Sequence, residues 1–379
     1  MTSRIGLVGC GNISTTYLGL AGLFHDIRFT ACADARPEAA KAQAERFGIE
    51  QRTVEELLGS KDIDIVLNLT VPEAHAEVSL AAIAAGKHVY TEKPLATRLS
   101  DGIRLMQAAK AGDRRVGAAP DTVLGAGIQE ARRQIDAGTI GKPLLGVAAF
   151  MSHGMEHWHP NPDFFFKPGG GPVFDIGPYY ITALVVLLGP IAAVSASGQI
   201  GFAERTITTE ASAYRGQTIK VETLTSAQAL LEFHSGAQLT FLTSWDVWSH
   251  GMLPIELHGT VGSMRVPDPN WFGGEVGIVQ GRGEWTPTST ADRSFGRLNW
   301  PRNQAKFANY RGLGLAEMAR AIADGRPHRA NGEIALHVLA VMAGILEAAT
   351  ENRRVVIEQG CERPSPLEES EARALMAAS

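Results

Sequence analysis

Three cysteines in 379 residues leave little room for a disulfide framework. Cys10 and Cys32 fall in or beside the first two expected strands, where packing suits them, and an odd count fits a reducing compartment. Long apolar runs are also scarce. Ile181 to Leu188 is the longest stretch read as apolar, and a bilayer span needs about 20 residues. No Lys/Arg run marks a nucleic-acid stripe or a polybasic anchor, and the net charge is −5. Met1-Thr2-Ser3-Arg4 enters a strand pattern without a leader-like apolar segment. These absences point to a soluble, cytoplasmic protein with no nucleic-acid or membrane partner. The 45% hydrophobic content is enough to build two ordinary cores.

Two textures divide the chain. Up to about residue 120, short apolar runs alternate with helical patterns: strands at Arg4–Val8, Ile27–Ala33, Ile63–Leu69, Lys87–Thr91 and Arg115–Ala118, helices at Thr15–Phe24, Pro37–Phe47, Glu73–Ala85 and Leu99–Ala111. Alternation of this kind builds an α/β unit, a doubly wound parallel sheet with crossovers. Residues 121–379 read as α+β, an antiparallel open sheet with helices on one face. Helices are expected over Gly127–Ala137, Phe174–Leu188, Gly314–Ala323 and Ile334–Thr350, with strand and turn from Ile191 to Val279. Glu204–Lys220 and Gly281–Arg297 read as loops, and the charged tail after Cys361 as a mobile end. The expected division is residues 1–120 and 121–379.

The first strand runs into Gly9-Cys10-Gly11-Asn12-Ile13-Ser14, with Gly9, Gly11 and Ser14 at the positions of G-x-G-x-x-G. In that motif the first glycine makes the turn and the second admits a pyrophosphate to the helix N-terminus. Ser14 is small but departs from the third glycine. Asp34 closes the next strand 20 residues after Ser14, where an acid accepts ribose hydroxyls and repels a 2′-phosphate. NAD is therefore expected, with NADP kept open by Arg36 alongside. Asp34 also has a plainer reading, as a cap before Pro37. After the third strand, Thr70, Pro72 and His75 either cover the nicotinamide side or cap and surface a helix.

Glu92-Lys93-Pro94 ends the strand before Leu99, and Glu92 and Lys93 are expected to contact the cofactor there. At the carboxyl edge of a parallel sheet, where ligands bind, Pro94 keeps Lys93 out of helical geometry and so lets it be aimed. A cation over a nicotinamide site can hold a hydroxyl and favour the alkoxide formed as hydride leaves. Further on, GGGPVFDIGPYY (Gly169–Tyr180) sets Asp175 and Tyr179 four apart on an expected helix. As a helix cap and a core aromatic they would carry no chemistry. Between these segments, His153, Glu156, His157, Trp158, His159 and Asp163 lie in MSHGMEHWHPNPD. Trp158 can stack on a sugar face, and the histidines can bind hydroxyls, hold a metal or simply pack in a loop. Their spacing matches no compact metal motif. Asp121, after the last parallel strand, reads either as a substrate contact or as a cap.

GCGNIS, TEKP and GGGPVFDIGPYY, in this order and spacing, resemble the glucose–fructose oxidoreductase / inositol dehydrogenase / MocA oxidoreductases. The resemblance covers nearly the whole chain, including LHGTVGSM at Leu257–Met264. It implies that Lys93 contacts nicotinamide and the substrate hydroxyl, with Pro94 cis. Asp175 binds substrate and helps to place the base. It implies no required metal, and a homodimer or homotetramer formed through the second sheet. Family members commonly carry His where this chain has Tyr179, while some sugar-processing relatives carry Tyr. A phenol needs nearby positive charge to act as a base, which Lys93 can supply. The expected activity is an NAD(P)-dependent dehydrogenase acting on a secondary hydroxyl of a sugar, glycoside or cyclic polyol. Two rivals remain: a hydrolase or lyase that oxidises a sugar transiently on bound NAD, and a catalytically silent cofactor-binding sensor.

Overall fold

The computed structural model describes residues 2–377. The first sheet is formed by β1 (Ser3–Val8), β2 (Ile27–Ala33), β3 (Glu50–Gln51), β4 (Ile65–Asn68), β5 (His88–Thr91) and β6 (Val116–Ala118). Every pairing is parallel, in the order β3-β2-β1-β4-β5-β6. β4 is buried at every residue, as a strand covered on both faces must be. The helices between are α1 (Asn12–Leu20), α2 (Pro37–Phe47), α3 (Val54–Gly59), α4 (His75–Ala84) and α5 (Leu99–Ala111). Winding reverses between β1 and β4, which opens a crevice at the carboxyl ends of the strands.

α6 (Ala126–Asp136) leads into a nine-stranded sheet. Its members are β7 (Pro143–Met151), β8 (Ile191–Gln199), β11 (Ser226–Phe233), β12 (Gln238–Ser244), β13 (Ile255–Gly259), β14 (Gly262–Val266), β15 (Glu275–Gln280), β16 (Thr286–Ser289) and β17 (Val355–Val356). A separate ribbon pairs β9 (Glu204–Thr206) with β10 (Thr218–Lys220). All pairings in the large sheet are antiparallel except β7 with β12. One face is covered by α7 (Gly171–Asp175), α8 (Gly177–Leu188) and α10 (Gly332–Glu351), and α9 (Leu313–Ala323) packs against β6. α10 also touches α5 and β6, so it joins the two sheets. It is long and apolar enough to cross a membrane by composition, yet it is the inner helix here, packed on α5, α8 and β8. The longest apolar helix is therefore α10, and not the Ile181–Leu188 stretch.

Several expectations need correction. The helix expected over Phe174–Leu188 is two helices broken at Ile176. Pro178 lacks an amide proton, and its ring would strike the carbonyl of Phe174 in a continuous helix. Glu204–Lys220 contains the β9–β10 ribbon, and Gly281–Arg297 contains β16. α3 was overlooked although Thr53 and Glu56 form a reciprocal capping box, a signal present in the sequence. The charged tail is docked: α11 (Glu369–Leu375) buries Ala372 and Leu375 against α9. Arg329 secures it with a 2.7 Å bond to Glu371, while buried Glu317 accepts from Arg329 at 2.8 Å. Apolar positions at Leu367, Ala372 and Leu375 outweigh the charge around them.

Asp121, after β6, is 1% exposed. Its Oδ2 accepts the amides of Gly312 and Gly314 at 2.9 and 3.0 Å, capping α9 from across the fold. Burial pushes its carboxyl up to about 6, although both amides and Arg311 favour the charged form. A carboxyl raised above its unfolded value near 3.9 stabilises the fold most fully below that value. That contribution is lost as pH rises through about 6. Asp121→Asn keeps an acceptor oxygen and removes the charge. Between pH 4 and pH 7 the wild type should therefore lose about 2 kcal/mol relative to the variant. Urea unfolding at several pH values measures this difference, and parallel profiles would refute it.

Candidate active site

The nucleotide end begins with Gly9. Its φ of +101° suits glycine, and a Cβ there would lie 2.5 Å from the Leu69 carbonyl. Gly11 is the N-cap of α1, and no side chain caps that helix. A Cβ at Gly11 would meet no protein atom within 4 Å, so open space lies directly over the first turn. Asn12 is exposed and Ile13 partly so. Ser14 fits the third glycine position because it is buried and its Oγ turns back to the Gly11 carbonyl at 2.5 Å. Asp34 accepts from the Cys10 amide at 2.7 Å and the Arg36 amide at 2.8 Å. The carboxylate is thereby held beside the glycine turn, with exposed Arg36 3.7 Å away. An uncapped helix N-terminus, free space at Gly11 and a fixed acid fit a dinucleotide. Asp34 does not cap α2, whose N-cap is Arg36 with no side-chain bond; it braces the glycine turn from the strand end.

Thr70 follows β4, and its hydroxyl donates to Asn68 at 2.7 Å. Pro72 starts a short 3-10 turn, and Val71 before it is exposed on this edge. His75 is buried, with Nδ1 2.7 Å from the Pro94 carbonyl and Nε2 3.0 Å from the Thr70 carbonyl. Burial lowers its pKa. The imidazole N–H therefore ties α4 to one of the loops after β4 and β5, and the ring does not line the crevice. Glu92 serves a similar end. It accepts from Tyr17 of α1 at 3.0 Å and from the Lys93 amide at 2.9 Å.

Lys93 leaves this braced turn through a cis bond to Pro94. Its Nζ donates to the Asp175 carboxylate at 2.6 Å and to the Asp175 carbonyl at 2.8 Å. An ammonium has three donors, so one remains. Burial disfavours the charge, but Asp175, Tyr179 and Glu92 outweigh it and hold the lysine above its ordinary pKa. The ammonium also lies 5.2 Å from the centre of the Tyr179 ring. Lys93, Asp175 and Tyr179 thus meet at one point, the first from the parallel sheet and the others from α7 and α8.

Arg311, absent from the sequence reading, lies near Tyr179. Burial works against its charge, while Tyr179, Glu92 and Asp121 raise its pKa. Asn309 and Asn270 each accept from its guanidinium at 3.1 Å. No motif in Asn309-Tyr310-Arg311-Gly312 announces this, because the contact is made across the fold. The loop after β7 divides. His159 is half-buried, and the Asp175 carboxylate bears on it, while burial lowers its pKa. His153, His157 and Trp158 line a neighbouring cleft with Glu156. Asp163 is exposed. Among the described residues, no three His, Cys, Asp or Glu side chains are grouped to hold a metal. Asp121 is turned to the α9 amides, away from a substrate role.

Residues 3–119 match the model of an oxidoreductase family with an NAD-binding Rossmann fold, and residues 128–265 match a GFO/IDH/MocA C-terminal domain. Inositol 2-dehydrogenase 3 of Saccharopolyspora erythraea is 37% identical over 150 residues, covering 38% of this chain and 44% of that protein. The match thus spans less than half the length of that relative. The 1,5-anhydro-D-fructose reductase of Ensifer adhaerens is 26% identical over 365 residues, 94% of this chain and 99% of that one. A levoglucosan dehydrogenase solved with NADH shares the fold with a TM-score of 0.80 at 22% identity, covering 95% of this chain and 100% of that one. An N-terminal sheet of Rossmann order, a glycine turn cleared for a dinucleotide and these two family matches lead to one conclusion: the chain belongs to the GFO/IDH/MocA family of NAD-binding oxidoreductases.

Proposed function

We propose that the protein oxidises a secondary hydroxyl of a sugar, glycoside or cyclic polyol with NAD, or runs the reverse reduction. The observation that carries this reading is the triad of Lys93, Asp175 and Tyr179 at the mouth of the nucleotide crevice. Bound NAD supplies the hydride acceptor. Asp175 uses two of the three Lys93 donors and so aims the third at the crevice. That donor binds the substrate oxygen and stabilises the negative charge that grows on it. Tyr179 takes the hydroxyl proton. Tyr179 does so as a phenolate and becomes a neutral phenol as the proton arrives; the negative charge it carries before that step lies beside Lys93 and Arg311. His159 flanks Asp175 as a substrate contact. Asp34 favours NAD over NADP by opposing a 2′-phosphate. The open face of the large sheet, with exposed Leu145 and Leu230, suits a second copy of the chain.

Lys93→Arg keeps the charge and the ion pair but displaces the donor. Its NADH production should fall about 10²–10⁴-fold, with NADH binding and thermal midpoint retained. Activity within a few-fold of wild type would remove Lys93 from the reaction. Tyr179→Phe should cut kcat by at least about 100-fold at neutral pH. Unchanged turnover across the pH profile would assign the proton to another group. Counting NADH released per substrate consumed separates this reading from transient oxidation on retained NAD, which releases none. Asp34→Ser should shift the ratio of kcat/KM for NAD over NADP by at least about tenfold toward NADP, roughly the effect of one charged hydrogen bond. An unchanged ratio would leave cofactor choice to Arg36 or other groups.

A further inference from the structure

Beside the catalytic centre lies a cleft of about 1090 Å³, walled by the loop after β7, the β9–β10 ribbon and the segment after β12. It has its own support. Met155, Phe165, Phe166, Ile207, Ile219 and Trp245 form a small core separate from the main one. The Glu156 carbonyl accepts the amides of Thr208 and Thr209 at 2.9 and 3.2 Å, fixing the ribbon to the loop. Beneath the cleft, buried Arg205 pairs with Glu156 at 2.9 Å and also with Asp246. A surface loop with no task does not require a private core and a buried ion network.

Two features of the lining point to a ligand. The first is aromatic: Trp248 is 80% exposed, and His153 stacks on it at 3.4 Å between ring centres. Phe202 sits edge-on to His153, and Trp158 is 54% exposed. The second is polar. Eleven buried side-chain polar atoms lack a partner among the described residues, and four of them belong to Ser152, His153, Glu156 and Arg205 of this one cleft. Buried polar atoms are normally paired, so this concentration makes the wall of the cleft unusually polar just beneath its surface. Exposed aromatic faces on a polar wall suit a pyranose, which has apolar C–H faces and a rim of hydroxyls.

Charge narrows the choice. Arg205 is the cleft's arginine, and Glu156 and Asp246 already neutralise it. Burial and the nearby Arg205 lower the pKa of His153. Among the described residues that line the cleft, no arginine or lysine is left free for a phosphate-bearing ligand. The cleft also adjoins the reaction: Trp158 lines it, and His159, the next residue, feels the Asp175 carboxylate.

We propose that this cleft is a second, neutral sugar subsite, and that the substrate is a two-ring glycoside. One ring is oxidised at Lys93 and Tyr179, and the other stacks on Trp248. This rests on the dehydrogenase reading above. The test compares cellobiose, maltose and lactose with glucose and galactose, in wild type and in Trp248→Ala. Wild type should show a higher kcat/KM on at least one disaccharide than on its component sugars. Trp248→Ala should lower that value about tenfold, the scale of one aromatic contact, while free-sugar turnover stays within twofold. Equal losses on both substrate classes, or none, overturn the subsite. Should no sugar reduce NAD, the dehydrogenase reading fails on its own, and calorimetric binding of the same disaccharides decides the subsite: binding lost in Trp248→Ala supports it, and absent or unaltered binding overturns it. Tighter binding of UDP-glucose than of any disaccharide also overturns it. So does a change of sedimentation in Trp248→Ala without a disaccharide effect, which would mean that the aromatics cover a second copy of the chain.

Discussion

The ion pair between Lys93 and Asp175 is the contact on which the site depends. It joins the carboxyl edge of the parallel sheet to the helices that cover the second sheet. A charge moved out of water must be paired, and removing one partner of a buried pair is far costlier than keeping both. The pair therefore fixes the separation of the two halves as well as the direction of the ammonium. Asp175 offers both its carboxylate and its carbonyl, which leaves the lysine little rotational freedom. Such preorganisation is what a group needs if it is to meet developing charge without first rearranging.

A set of braces around that pair has no direct part in the chemistry. Glu92 links the lysine turn to Tyr17 on α1, so the turn moves with the helix that follows the glycine turn. His75 lies between the Thr70 and Pro94 carbonyls, so its N–H ties α4 to one of the loops after β4 and β5 while the buried ring packs between them. Asp121 holds the start of α9, and Arg311 departs from the turn just before it. The second cation near Tyr179 thus precedes a helix start held by the buried Asp121 carboxyl after β6. Buried polar groups of this kind give a unique arrangement because each has few ways of being satisfied.

The second half carries a smaller structure on its rim. The β9–β10 ribbon and the loop after β7 share an aromatic and aliphatic core of their own. Within one scaffold, such a module can vary in length and lining without disturbing the ion pair. Function on common folds resides in grafted sites of this sort, and the scaffold alone does not specify a substrate.

The sequence by itself determined the parts whose signal is local. Gly9, Gly11 and Asp34 could be read because a strand, a glycine turn and a helix follow one another directly. Lys93 could be read because Pro94 restricts it and the preceding strand locates it. The parallel order of the first sheet followed from strand–helix alternation, and the helical covering of the second from apolar spacing. Only the tertiary structure decided which of these residues meet. Arg311 and Tyr179 are far apart in the chain, and no short-range pattern links them. The same holds for Arg205 with Glu156 and Asp246, and for Asp121 with α9. His75 and Glu92 looked like cofactor contacts in sequence, yet their polar atoms are taken up by carbonyls, a phenol and an amide from other elements. The ribbon was missed because three-residue strands carry too little periodicity to register, and their pairing is made by contacts outside the window. Hydrogen bonds and ion pairs close over space, so the residues that aim Lys93 and Tyr179 became visible only once the chain was folded.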